Sequence, residues 1–476
     1  MRPEDFIAIH SRRNFLRDCA GGIGTIALAH LLGIEGRAAE PVNPMAPKKP
    51  HFAPRAKNVI FLFMEGAPSQ MDLFDPKPKL REWHGKPLPP SMTRDLKLAF
   101  IKPTASVLGS PFEFRRHGQS GMELSELLPH TATCADDICL VRSMYSEAFN
   151  HHPGQLFLFT GHMIGGRPTM GAWVTYGLGS ENQNLPGFVV LASGVGTSAG
   201  SDNFTNGFLP SSYAGTVFRS KGDPILYLSN PKGIDDASQR ARLDLIRELN
   251  EEHMERTGDL EIASRIHSYE LAYKLQMSAP ELLDFSKESP STLDAYGVNE
   301  EKTRAFGTNC LLARRMVERG VRFVLLMHAS WDHHSSIESG LKRTCGATDQ
   351  PAAALVKDLK QRGLLDETLV VWGGEFGRTA ISELRRPDDP ANIGRDHHPN
   401  GYSIWLAGGG LRGGQTIGAT DEFGLSIVED QIHVHDLQAT LLHCLGLDHT
   451  RLTYRHMGRD FRLTDVGGHV VQKLLA

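Results

Sequence analysis

The chain has 476 residues, 40% of them hydrophobic and 22% charged, enough to bury a core without disulfides or a structural metal. A formal charge of −4 gives no large basic field, which excludes nucleic-acid and membrane-surface partners recognised by bulk charge. Histidine is the unusual count, at 22, and many of these residues are clustered.

In chain order, Ser11-Arg12-Arg13-Asn14-Phe15-Leu16 comes first, ahead of a mild apolar run from Ala20 to Ile34 that ends in Ala38 and Ala39. This arrangement resembles a twin-arginine export signal over residues 1–39, so the expected partner is that export machinery and the expected location periplasmic or secreted. The run is too short, and too interrupted by His30, to span a bilayer, and no other segment reaches that length, so no stable transmembrane segment is expected. Residues 40–57 read as a Pro-rich linker, and 58–476 as the folded domain. Beyond Cys19, the cysteines are Cys134, Cys139, Cys310, Cys345 and Cys444, with no Cys-x-x-Cys spacing. That pattern is neither a disulfide framework nor a zinc ribbon, although it leaves one bridge open, Cys134–Cys139.

Six short apolar runs read as buried parallel strands: Val59–Met64, Ile138–Val141, Phe188–Ala192, Val321–Met327, Leu369–Trp372 and Tyr402–Ala407. Helical patterns separate them. Phe306, Cys310, Ala313 and Val317 recur at helical spacing before Gly320. Pro351 is expected to open a second helix and Asp436 to cap a third over Leu437–Leu447. The alternation predicts an α/β fold, a doubly wound, mostly parallel sheet sandwiched by helices. The charged stretch 234–290 reads as a helical insertion, with Ile262, Ile266, Tyr269 and Tyr273 on one face.

Sites in such folds form beyond the carboxyl ends of strands, and polar clusters sit at those places. Asp72 and Asp75 follow the first strand, His151 and His152 the second, Trp331-Asp332-His333-His334 the fourth and Glu375-Phe376-Gly377-Arg378 the fifth. Arg395-Asp396-His397-His398 precedes the sixth. Each has a plain reading beside the chemical one. Asp332 and His334 form either a solvated loop pair or two ligands, since Asp-x-His on an extended segment points both side chains one way. Either His397 or His398 completes the set, His397 being favoured, unless the pair is a surface turn. Glu375 is a metal ligand or an ion-pair partner of Arg378, and Asp72 a ligand or an Asx-turn residue. His151 and His152 divide between catalysis and capping or packing, and His433 and His435 read as structural. No G-x-G-x-x-G opening a helix and no Walker loop occurs.

These residues resemble the superfamily of alkaline phosphatases, sulfatases and phosphopentomutases. Phe157-Leu-Phe-Thr160-Gly161 is similar to the helix that carries the sulfatase nucleophile, and Arg395-Asp396-His397 to a triplet that supplies a late metal-binding histidine. The chain from Leu364 to Glu375 resembles a strand delivering a metal-binding pair. More specifically, Ala313–Phe323, Trp331-Asp332-x-His334, Glu375-Phe-Gly-Arg378-Thr379 and Leu452–Asp460 resemble the exported domain-of-unknown-function family 1501. The resemblance implies an alkaline phosphatase-like fold and a metal-dependent hydrolase of phosphate or sulfate esters, with a small-molecule or polysaccharide ester as substrate. It also marks departures: His151 stands where active members carry Ser, Thr or a modified Cys, Glu375-Phe376 replaces a ligand pair, and Glu65 and then Asp72 stand near the first-strand aspartate. Asp332, His334 and His397 would hold a divalent metal, zinc by donor type, with manganese, iron and calcium as alternatives. Glu375 or His151 would act as base or as a ligand of a second metal, Asp72 is a further candidate ligand, and Arg378 would grip the anionic group. The alternative is a non-catalytic metal- or glycan-binding envelope protein that retains the fold.

Overall fold

The computed structural model describes residues 43–94, 100–102, 105–194, 198–219, 230, 232–384, 389 and 392–476. The expected export signal, with Arg12 and Arg13, lies outside them. Two compact units are present, one containing Lys232–Glu270 and the other Met45–Pro231 with Leu271–Ala476. Among the described residues no helix is long and apolar enough to cross a membrane.

The principal elements in chain order begin with β1 (Asn58–Met64), β2 (Ile138–Tyr145), α1 (His151–Thr160) and α2 (Met170–Leu178). Next come β3 (Phe188–Ser193), β4 (Thr216–Phe218), α3 (Asp236–Thr257), α4 (Leu260–Leu283), α5 (Arg304–Glu318) and β5 (Phe323–His328). Helix α6 (Ile337–Gln361) and β6 (Thr368–Gly373) lead to a hairpin, β7 (Gly377–Leu384) with β8 (Ile393–His398). The chain continues through β9 (Asn400–Ala407), β10 (Gln415–Ile417), β11 (Ile432–His433) and α7 (Val434–Cys444).

Nine strands form one sheet in the order β10-β2-β9-β6-β1-β5-β3-β4, with β11 also on β2. All six predicted strands are in it. Five run parallel, but β9 is antiparallel to both neighbours, β2 and β6. An apolar run reports burial on both faces and carries no information on direction, so Tyr402–Ala407 could not show this.

Side chains alternate between two cores. Ile60, Leu62, Val324, Leu326 and Val370 face α5 and α6. Val59, Phe61, Phe63, Leu325, Val371 and Leu406 face α1, α2 and α7. This is the predicted sandwich, and its period of two follows from the pleat. Cys134 belongs to the first core and Cys139 to the second. Both are free, as are Cys310, Cys345 and Cys444, so the bridge left open in the sequence is not made.

Three local expectations are corrected. Pro351 does not open a helix; it lies inside α6, which starts at Ile337. Burial of Ile337, Leu341, Cys345, Ala352, Leu355 and Leu359 along one stripe outweighs the roughly 3 kcal/mol that an internal proline costs. Asp436 is not the cap of α7 but its third residue: His433 caps the helix, and Asp436 reaches back to the His433 N–H at 3.0 Å. From Met45 onward the expected linker is a packed strap, with Met45 and Ala56 buried and Lys48 Nζ donating to the Tyr176 carbonyl at 2.7 Å. In the smaller unit, α3 is tied to the first turns of α4 by a bidentate pair, Arg240 to Glu270, at 2.6 and 2.9 Å.

Candidate metal centre

Four elements deliver side chains to one edge of the sheet. Strands β1, β5 and β3 end in register, Met64 beside His328 and Ser193 beside His328. Beyond them the chain after β5 turns through Ser330 (φ 91°) and lies directly on Gly66 (φ 109°). A Cβ on Gly66 would stand 2.4 Å from the Asp332 nitrogen, so only glycine permits this approach. The Trp331 N–H also donates to the Glu65 carbonyl at 3.0 Å, which fixes the level of Asp332 and His334.

Because β9 runs against its neighbours, its start lies at the edge where β1, β5 and β6 end. That is why His397, which precedes a strand, meets Asp332 and His334, which follow one. Helix α1 begins at the same edge after β2, and its first residue is His151, capped by Asn150.

The imidazoles of His151, His334 and His397 and the carboxylate of Asp332 converge, each offering one atom, all within 4.8 Å of one another. His334 Nε2 is 2.9 Å from His397 Nε2. Asp332 Oδ1 lies 2.9 Å from His334 Nε2, 3.2 Å from His151 Nε2 and 3.8 Å from His397 Nε2. Each ring's other nitrogen is held from outside: His151 Nδ1 by Glu375 at 2.6 Å, His397 Nδ1 by the Phe149 carbonyl at 2.8 Å, and His334 Nδ1 by Glu383. With every Nδ1 held from outside, each Nε2 points into the cluster. Orientation of this kind characterises metal-binding histidines.

Electrostatics point the same way. Three carboxylates, Asp332, Glu375 and Glu383, bear on the cluster, and the guanidinium that touches it is Arg378, 2.6 Å from Asp332. The carboxylates hold positive charge at the cluster, as protons on the imidazoles or as a cation that displaces them. Burial opposes a charge on His151, but hydrogen bonds to Asp332 and Glu375 outweigh it and push the imidazole up to about 9. His334 is raised in the same way, against its burial, by Asp332 and Glu383. His397 is lowered, first by burial and also by the charges of Arg378, His151 and His334. Asp332 is held far below the ordinary carboxylate range: burial raises it, and its three histidine partners and Arg378 overcome that. Three inward imidazoles and a carboxylate fit a divalent cation of the zinc, iron or manganese type better than calcium, which prefers oxygen donors.

The structure therefore brings Asp332, His334, His397 and His151 to one point. Glu375 stands behind His151, its carboxylate also accepting the Gly66 N–H at 3.2 Å. Asp72 lies apart from the cluster: it forms a fully buried fork with Arg395, at 2.8 and 3.2 Å. Arg378 is buried rather than open to a substrate. Its Nε donates to the Ala67 carbonyl at 3.0 Å, Nη1 to the Arg395 carbonyl at 3.1 Å, and Nη2 to the Gly66 carbonyl and to Asp332. His398 is buried in another direction, as is His333, whose ring abuts Gly340. Sequence reasoning missed Glu383 and the Phe149 carbonyl. A carboxylate inside the otherwise uncharged Thr379–Leu384 was the available signal for the first; a backbone oxygen has none.

Residues 56–475 match the family described as protein of unknown function (DUF1501). The chain belongs to this family. Among curated proteins none matches it significantly. Solved structures similar to this DUF1501 chain include the lipoteichoic acid synthase LtaP from Listeria monocytogenes, with 9% identity, a TM-score of 0.34 and coverage of 92% of this chain and 80% of that one. The PsFucS1 sulfatase from Pseudoalteromonas sp. is 11% identical, with a TM-score of 0.34 and coverage of 83% and 68%. Alkaline phosphatase from the Antarctic bacterium TAB5 is 10% identical, with a TM-score of 0.29 and coverage of 75% and 92%. These likenesses are distant, and the architecture stands on the strand order given above.

Proposed function

We propose that this DUF1501 chain is an exported, metal-dependent hydrolase of phosphate or sulfate esters, with Asp332, His334 and His397 holding one divalent cation, preferably zinc. The supporting observation is the convergence of inward Nε2 atoms whose outer nitrogens are all tied. When bound, the cation supplies Lewis acidity toward an ester oxygen and lowers the pKa of water.

The chain's own residues supply the rest. Among the three imidazoles His151 has the largest exposed share of side chain, 14% against 6% for His334 and 1% for His397, with its Nε2 buried toward the cluster. Glu375 accepts from its Nδ1, so once the imidazole has lost the proton that Asp332 and Glu375 favour, Nε2 is the atom that takes a proton from water as water attacks phosphorus or sulfur. The ester oxygen–phosphorus or oxygen–sulfur bond breaks, and the same proton passes to the departing alkoxide. Arg378 positions Asp332 and leaves the anionic group to the cation.

Loss of metal and loss of turnover separate the roles. Asp332→Ala and His397→Ala are expected to abolish both stoichiometric zinc binding and cleavage of aryl phosphates or sulfates. His151→Gln is expected to retain zinc within a few-fold while losing at least about a hundredfold in rate, the lower bound for a general base. If His151→Gln loses zinc as fully as His397→Ala, His151 is a fourth ligand and not the base. Zinc binding with no ester turnover in the unaltered chain favours the non-catalytic reading. Export through the twin-arginine machinery is supported by Arg12-Arg13, and a precursor with both changed to lysine is expected to stay in the cytoplasmic fraction.

A further inference from the structure

Asp396 is fully buried at the bulge of the β7–β8 hairpin, where register slips between Arg395 and His397. One carboxylate oxygen accepts the His397 N–H at 2.8 Å. The other accepts the N–H groups of Phe100 at 2.8 Å and Ile101 at 3.3 Å. A buried carboxyl group therefore ties a second stretch of chain to the rim of the metal centre. The ring it delivers is Phe100, 61% exposed, which meets His334 edge-on at 5.3 Å and His397 at 5.6 Å. Phe149, 41% exposed, stands two residues before His151 and holds His397 through its carbonyl.

An exposed phenyl forgoes about 1.5–3 kcal/mol of burial. Here two backbone hydrogen bonds to a buried carboxylate hold it outward, over the ligands. The guanidinium at the cluster, by contrast, is fully engaged with protein acceptors. Recognition beside the cation is thus aromatic in character.

Resting on the hydrolase reading of this centre, we infer that Phe100, positioned by Asp396, is a wall of the substrate cleft. Its substrates carry a flat apolar face next to the ester, either an aryl ring or the hydrogen-bearing face of a sugar. Such a face stacks on the phenyl while the anionic group goes to the cation.

Calorimetric binding of three probes to the zinc-loaded full chain tests this without turnover: methylphosphonate, phenylphosphonate and a hexosyl methylphosphonate. The phenyl or hexosyl probe is expected to bind about tenfold more tightly than methylphosphonate. Phe100→Ala should erase that advantage with methylphosphonate affinity unchanged, and Phe100→Tyr should keep it. The probe with the larger advantage names the source of the flat face. Equal affinities for the three probes, no binding of any, or an advantage that survives Phe100→Ala overturns the inference. A chain that shows the Phe100-dependent preference yet cleaves no ester upholds the wall and overturns hydrolysis.

Discussion

At Glu383 a buried carboxylate faces Nδ1 of His334 from a strand with no other charge after Arg378. It touches no cation, yet it decides which nitrogen of His334 points inward. Glu383→Gln keeps the shape and removes the charge, and outer partners of this kind are worth about 10- to 100-fold in metal affinity. Competition with a chromophoric chelator should show a loss of that size, with the fold intact; an unchanged affinity would mean that Asp332 alone orients the ring. Asp72 teaches the converse. Its sequence position suggested a ligand, but Arg395 takes both its oxygens. Burial raises the Asp72 carboxyl, and Arg395 overcomes this and leaves it below its ordinary value. The stability it contributes is therefore fully present above about pH 4, the unfolded value, and lost as pH falls through the depressed folded value. Asp72→Ala strands a buried guanidinium and should cost about 3–5 kcal/mol in denaturant unfolding at pH 7. In Asp72→Asn the loss of stability on acidification should be shallower than in the parent chain. A ligand and an ion-pair partner look alike in one sequence, because both are carboxylates after a strand.

Element direction is what the sequence hid, and it mattered most for the site. The six apolar runs located six strands, since burial on both faces leaves a continuous apolar signature. Tyr402–Ala407 gave no sign of running backwards. A parallel strand there would have put His397 at the opposite edge from Asp332. The β7–β8 hairpin was not anticipated either, because Gly377–Leu384 and Ile393–His398 are rich in polar and charged side chains that the buried site, not an apolar core, accommodates. Glycines show how tightly these elements must approach. A Cβ on Gly394 would lie 2.2 Å from the carbonyl carbon of His334, backbone that cannot step aside. Gly394→Ala should push β8 away from the Asp332–His334 turn and separate His334 from His397. The expected result is a fall in zinc affinity larger than any fall in melting temperature, read by chelator competition beside calorimetry. Unchanged affinity would show that the hairpin can shift without carrying His397.

Across the whole molecule, the converging groups come from positions 151, 332, 334 and 397, which only the fold brings together. In the unfolded chain Asp332 and His334 remain neighbours, but His151 and His397 are far away along the sequence, so a cation binds the native state far better. Binding of that kind stabilises by mass action, about 2.7 kcal/mol at a free cation concentration one hundred times Kd. All four residues belong to the unit formed by Met45–Pro231 and Leu271–Ala476. The smaller unit contributes none, and its helix α3 buries no residue of its own. A cation should therefore raise the melting transition of the larger unit alone, and a chelator should reverse it. Asp332→Ala should melt at one temperature with or without zinc. Hydrogen exchange resolves the two units: added protection should appear in β1, β5 and β8 and be absent from α3. Equal gains in both, or a zinc-dependent shift that persists in Asp332→Ala, would place the cation somewhere other than these four side chains.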